Sequence, residues 1–486
     1  MSTLAALRRA EAFDTARAVP KASRRHVELD DAPLVITLNV LAGEPFAPLG
    51  ITWGTDPREP AGHTVIPEPR NRDLRYAGLA EFGQALNEYL KPHLAYTIET
   101  SSRGVQYPEC ATCPQIVVPD AASAKALVLM AGRGVRYAQG APPAAAWAAA
   151  HLTMIGQHRD FAGQSLLLAA TNLLSLHWET GQADLENQNL AALLAWIDPD
   201  AAHTSRADRL DAIAIAEKHT WGPLRSPDFD RGLIDLIRSY HRSRSDRARD
   251  LAVQRITDEV LPELVAAYRG THRALRLLRT RPPAPSAFAR RVEDRKAWAS
   301  HARRSDAAEP PRFTARDTAQ SAQRAVAYLE GPADLVPAQM AYDDPLIMAE
   351  HVDVGQAFTG DVVAVDENNR EVRPGGRNRV RVPIITVRTA SRPPHPTGTT
   401  VWWADNPAIK CSIRSVRTAY SGLGDDLDDS PYLINLTVLS GMAKNPLPAA
   451  GDRHTFATLS PGSGAPAPRA DEAPWTHQPR QEGPDA

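Results

Sequence analysis

Between residues 27 and 140 the apolar positions follow two rhythms. PLVITLNVL (33–41) and PLGITW (48–53) are β-branched runs bounded by Gly, Pro and Asp, which predicts strands. LRYAGLAEFGQALNEYL (74–90) spaces its apolar residues three and four apart and stops before Pro92, which predicts a helix. QIVVPD, AASAKALVLMAGRG and VRYA follow as strand, helix and strand, with Asp120 as N-cap and Gly132 near the C-terminal end. Residues 1–140 are thus expected to form a small α/β domain.

From 141 to 281 the pattern is wholly helical, in segments such as PAAAWAAAHLTMIGQH, SLLLAATNLLSLHWE and SRADRLDAIAIAEKH. Ser226 and Pro227 open a longer basic helix through DRGLIDLIRSYHRSRSDRARDLAVQRI, and Pro262 is expected to kink or restart it. RPPAPS (281–286) and EPPRF (309–313) mark joints in a helical linker region, 282–344. Its helix TARDTAQSAQRAVAYLEG (314–331) would begin at a Thr314 cap and end at Gly331.

Over 345–445 the period becomes two. DVVAV, RNRVRVPIITVR, TTVWWAD, IKCSIRSVR and YLINLTVLSG read as five strands of an antiparallel β-barrel of OB or SH3-like size. Residues 446–486 hold eight prolines in a Gly, Ala and Asp context and read as a disordered tail. The fold class expected is α+β and multidomain.

Composition narrows the class of protein. Hydrophobic residues at 43 % and charged residues at 23 % of 486 are ordinary globular usage, so most of the chain should bury a core. Of 55 basic residues only seven are Lys, which with abundant Ala indicates the codon bias of a GC-rich bacterial genome. Three cysteines make no disulfide framework and point to a reducing compartment. The N-terminus lacks a signal-peptide pattern and no run reaches about 18 apolar residues, so a cytoplasmic protein is expected.

Net charge is −2 but unevenly spread: −5 over 1–220, +8 over 221–320 and −5 over 321–486. Within the last third, residues 370–417 hold ten basic groups against Glu371 and Asp405. Clustered charge of one sign is what a polyanion feels. In RNRVRV the strand alternation puts Arg377, Arg379 and Arg381 on one face and Val380 and Val382 on the other. In IKCSIRSVR it puts Ile409, Cys411 and Ile413 inward and Lys410 and Arg414 outward. With Arg388 and one of the adjacent Trp402 and Trp403, taken as Trp403, these form the expected nucleic-acid-binding face. The plainer reading is a solvated strand in an Arg-rich proteome. On the basic helix, Arg242, Asp246 and Arg249 allow intrahelical pairing in place of a ligand.

Cys110 and Cys113 have the spacing of a zinc half-site, which His93, His151 or His158 would have to complete; otherwise they are two ordinary thiols. Asp425, Asp426, Asp428 and Asp429 form an acidic turn that lacks the pattern of a calcium loop. No P-loop, dinucleotide fingerprint, nucleophile elbow or HExxH occurs. Glu99 and Asp120, at strand ends, leave open a metal-dependent hydrolase or nuclease in residues 1–140. The leading expectation is a non-catalytic nucleic-acid-binding accessory protein. A protein-protein scaffold acting through the helical middle is the third reading.

Overall fold

The computed structural model describes residues 2–41, 47–136, 138–306, 319–372, 377–418 and 432–462, with side chains from 322 onward in the helix that starts at 319. Two compact units emerge, one of residues 8–316 and one of 1–7 with 317–486.

In the first unit a five-stranded sheet runs in the order Gly62–Val65, Pro48–Gly54, Leu34–Val40, Ile116–Val118, Leu167–Ala169. The first two pairings are antiparallel and the last two parallel. Every residue of Leu34–Val40 and Pro48–Gly54 is buried, because helices cover both faces. Ile36, Leu38 and Val40 pack with Phe82 and Leu86 of Arg72–Leu90 and with Leu152 of Pro143–His158. Val35 faces the other way, toward Tyr268 and Leu275 of the 34-residue helix Asp246–Arg279.

This arrangement corrects the expected division at about 140. Leu167–Ala169, expected to be helical, is the sheet's edge strand, and its burial on a parallel ladder explains why an unbroken apolar run does not alternate. Helix Pro285–Ser305, expected as linker, inserts Trp298 with 0 % exposure into the same core as Ile36 and Phe82. Sheet, helical middle and that helix therefore share one interior.

Other differences are local. Val135 and Arg136, expected to open the strand VRYA, are helical: the helix from Ala121 widens into a π-turn and continues through Arg136, and Tyr137 lies outside the described residues. The basic helix breaks at 243–245, where Ser245 accepts from the Ala248 N–H and caps a new start. Pro262 lies inside that second helix, on an exposed position where one missing hydrogen bond is tolerated. Helix Ala319–Asp343 likewise passes through Pro332 and Pro337; its expected Thr314 cap is outside the described residues.

In the second unit six strands close an antiparallel ring in the order Ala357–Asp366, Ile384–Thr389, Tyr432–Ser440, Lys410–Thr418, Thr400–Trp403, Arg453–Ala457. The sixth, Arg453–Ala457, lies in the stretch expected to be a disordered tail. It pairs with both the first strand and Thr400–Trp403, and Phe456 is fully buried. Proline frequency gave no sign of it, since RHTFA contains none. Residues 463–486 fall outside the described residues, as does the acidic turn with Asp425, Asp426, Asp428 and Asp429. RNRVRVPIITVR is two strands, not one. Arg379–Arg381 pairs with Arg370–Val372 in a separate two-stranded ladder, and Pro383, which cannot donate, separates it from the ring.

Candidate nucleic-acid interface

The ring's interior is set by alternation. Ile385, Val387, Val401, Cys411, Ile413, Ile434, Leu436 and Phe456 point inward and are buried. Ile409, Cys411 and Ile413 are inward as expected, and Cys411 is a free, fully buried core thiol pushed up to about 12 by burial.

Outward positions differ from the expected row of cations. Across the middle of the sheet they are uncharged. Thr437 pairs with Ser412, and Ser412 with Thr400. Thr386 Oγ1 donates to Asn435 Oδ1 at 2.9 Å, and Asn435 Nδ2 donates to Ser415 Oγ at 3.1 Å.

The basic groups lie around this row, and several are already paired. Arg381 bonds Glu367 at 2.7 Å, and Arg414 bonds Glu371, which ties the small ladder to the ring. That guanidinium, with Asn369, holds the Glu371 carboxyl below its ordinary range. Arg379 donates to the Arg370 carbonyl at 2.9 Å, with no ion pair among the described residues. Arg377 and Arg388 are exposed and also lack an ion pair there. The register of Arg379, Val380 and Arg381 matches the expected alternation, but the face belongs to the ladder and not to the ring.

The tryptophan assignment is corrected. Trp403 faces the core with 8 % exposure, where its Nε1 donates to Asp405 and its ring meets His454 edge-on. Trp402 is the outward, half-buried member of the pair. Lys410 sits opposite it in register with Nζ 5.6 Å from the ring centroid, a cation-π contact.

The remaining candidates are dispersed in the first unit. Cys110 and Cys113 are buried in its core, and burial pushes both thiols up, Cys113 to about 12. A zinc thiolate needs the opposite shift. His93 hydrogen-bonds Thr112, His151 bonds His301, and His158 bonds Asp294. Among the described residues no group of three or more His, Cys, Asp or Glu could hold a metal ion. Asp120 caps helix Ala121–Leu127 as expected, accepting from the Ser123 N–H at 2.6 Å. Glu99 lies on the exposed strand Tyr96–Thr100 and accepts from Thr97. Arg249 reaches Asp246 at 3.9 Å within its helix, as expected. No helix of the described residues is long and apolar enough to cross a membrane.

Sequence reasoning missed a cationic site in the first unit. A cavity of about 600 Å³ in the first unit is lined by Arg58, Arg269, Arg273, Arg276 and Arg279, together with His272. The signal was present: four arginines fall four, three and three residues apart, which places them along one helix face. It was overlooked because HRSRSDRARD is the denser run along the chain. No protein-family model matches this chain, and no curated protein or solved structure matches it.

Proposed function

We propose that the protein is a nucleic-acid-binding accessory factor without chemistry of its own, whose six-stranded ring is a small barrel that grips a phosphate backbone. The observation that carries this reading is the outward Trp402 with the Lys410 ammonium beside it on the ring. An aromatic face can stack on any base, and a neighbouring cation answers the phosphate that accompanies it. The uncharged row of Thr400, Ser412 and Thr437 continues from this pair and offers hydroxyl donors. Arg377, Arg379 and Arg388 supply charge without a carboxylate partner among the described residues, whereas Arg381 and Arg414 act as internal ties.

Lacking a P-loop, the chain would act beside an enzyme that supplies energy. Its three free, buried thiols suit the reducing cytoplasm of a bacterium.

The test is fluorescence anisotropy of the full chain against single- and double-stranded DNA and RNA at two salt concentrations. Binding should weaken as salt rises, and Arg377→Ala with Arg379→Ala should reduce the slope of log K on log salt by about 1 for each phosphate no longer neutralised. Trp402→Ala should cost about 1–3 kcal/mol if a base stacks there. Salt-insensitive binding, or none at low salt, refutes the proposal.

A further inference from the structure

The arginine-lined cavity is a built site. Arg269, Arg273 and Arg276 project from one face of the helix Asp246–Arg279, at intervals of four and three residues, and Arg279 lies one turn on. Several guanidinium groups are held in place by contacts that leave donors over. Arg269 Nε donates to the Arg58 carbonyl at 3.1 Å. Arg279 donates to the carbonyls of Asp30 at 2.6 Å and Asp31 at 3.1 Å. Arg273 bonds the Asp198 carboxylate at 2.9 Å, and Arg276 approaches it at 3.7 Å.

The cavity lining therefore presents five guanidinium groups and one carboxylate, Asp31, with Asp198 as a second acid behind it. Such an excess in one concave site repels itself unless an anion enters. His272, also in the lining, is 7 % exposed, and its buried Nε2 has no hydrogen-bond partner. Burial first, and then Arg279, lowers its pKa to about 4, so the ring is neutral at pH 7. A neutral imidazole can still donate to an incoming oxygen.

A second cavity, of about 880 Å³, shares Arg273 and Arg276 with the first. Its character is opposite. Leu194 and Ile215 make it partly apolar, and Asp198, Asp200, Asp208 and Asp211 make it acidic. It also contains Trp221, whose ring lies against Gly270 so closely that a Cβ there would be 2.3 Å away. The Nε1 of Trp221 and the Nδ1 of His203 are buried without partners. The two cavities share a wall at Arg273 and Arg276, so a cationic lobe and a partly apolar, acidic lobe adjoin in one concave site.

We infer that these two cavities form one binding site for a nucleoside polyphosphate, with phosphates among Arg58, Arg269, Arg276 and Arg279 and the base beside Trp221. Guanidinium forks match phosphate oxygens two at a time. The carboxylates of the second cavity exclude the phosphates from it and accept from amino and hydroxyl groups of a nucleoside. Both volumes are within the usual range for small-molecule sites, and every lining residue belongs to residues 8–316.

Isothermal titration calorimetry of the full chain with ATP and GTP, and with tripolyphosphate as the phosphate half alone, tests this. Both nucleotides should compete with tripolyphosphate, and at least one should bind more tightly than it. Arg269→Ala and Arg276→Ala should each weaken all three ligands by about tenfold or more, with the thermal midpoint unchanged. Trp221→Phe, which keeps the packing on Gly270, should weaken the nucleotides and leave tripolyphosphate unaffected. Tripolyphosphate binding as tightly as both nucleotides would overturn the assignment of the base. Unchanged affinity in folded arginine variants, or no binding of any of the three ligands, would overturn the site.

Discussion

Replacing Trp403 with Ala would remove an inward indole from the ring's core, at a cost of about 3–5 kcal/mol, seen as a lower urea midpoint. Trp402→Ala should leave that midpoint nearly unchanged and, under the function proposed above, weaken nucleic-acid binding. Together the two variants separate packing from recognition at adjacent positions. A third residue-scale test concerns Asp294, 3 % exposed, which accepts from His158 at 2.7 Å and from the Ser165 hydroxyl and N–H at 2.6 and 2.7 Å. Asp294→Ala strands these buried donors and should destabilise residues 8–316 by about 3 kcal/mol, measured by calorimetric melting. Its partners come from segments about 130 residues away in the chain, so sequence gave no sign of the network.

At the scale of elements, what could be read in advance depended on how local the determining physics was. Arg72–Leu90, the Asp120 cap and the inward alternation of Ile409, Cys411 and Ile413 each follow from neighbours within a few residues, and they were legible. Leu167–Ala169 and Arg453–Ala457 are strands because distant partners complete their ladders, and neither carried a local signature. For the interface, the outward arginines could be placed by parity, but not which of them meet Glu367 or Glu371. The arginine cavity needed the fold to bring Arg58 to Arg269, more than 200 residues later. Removing everything after residue 445 should therefore not trim a tail but open the ring. The edges of Ala357–Asp366 and Thr400–Trp403 would lose a partner, and limited proteolysis should cut residues 345–445 of the shortened chain far faster than in the intact protein.

Over the whole molecule, acid should act mainly through histidines of residues 8–316. Burial is the largest cause of lowered pKa for His93, His272 and His301, each to about 4, and for His151, to about 3. His151 Nδ1 and His301 Nε2 are 2.8 Å apart, so one ring donates and the other accepts, and full protonation would set two donors against each other. An unfolded chain takes up these protons near pH 6.5, whereas the folded one resists until about 4. Stability is thus complete above about 6.5 and falls as pH drops toward 4. Urea midpoints measured across that window should decline steadily, and less steeply in a variant carrying His151→Gln and His301→Gln.

Closure of the ring by Arg453–Ala457 also fixes an order of events during synthesis. Ala357–Asp366 leaves the ribosome about ninety residues before the segment that will lie beside it. Until then the other five strands can form only an open sheet, with a lone backbone edge on each flank. A nascent chain stalled before residue 453 would carry those edges into a crowded cell, available to any extended peptide. The interval before the sixth strand emerges leaves two edges of the ring open to misassembly.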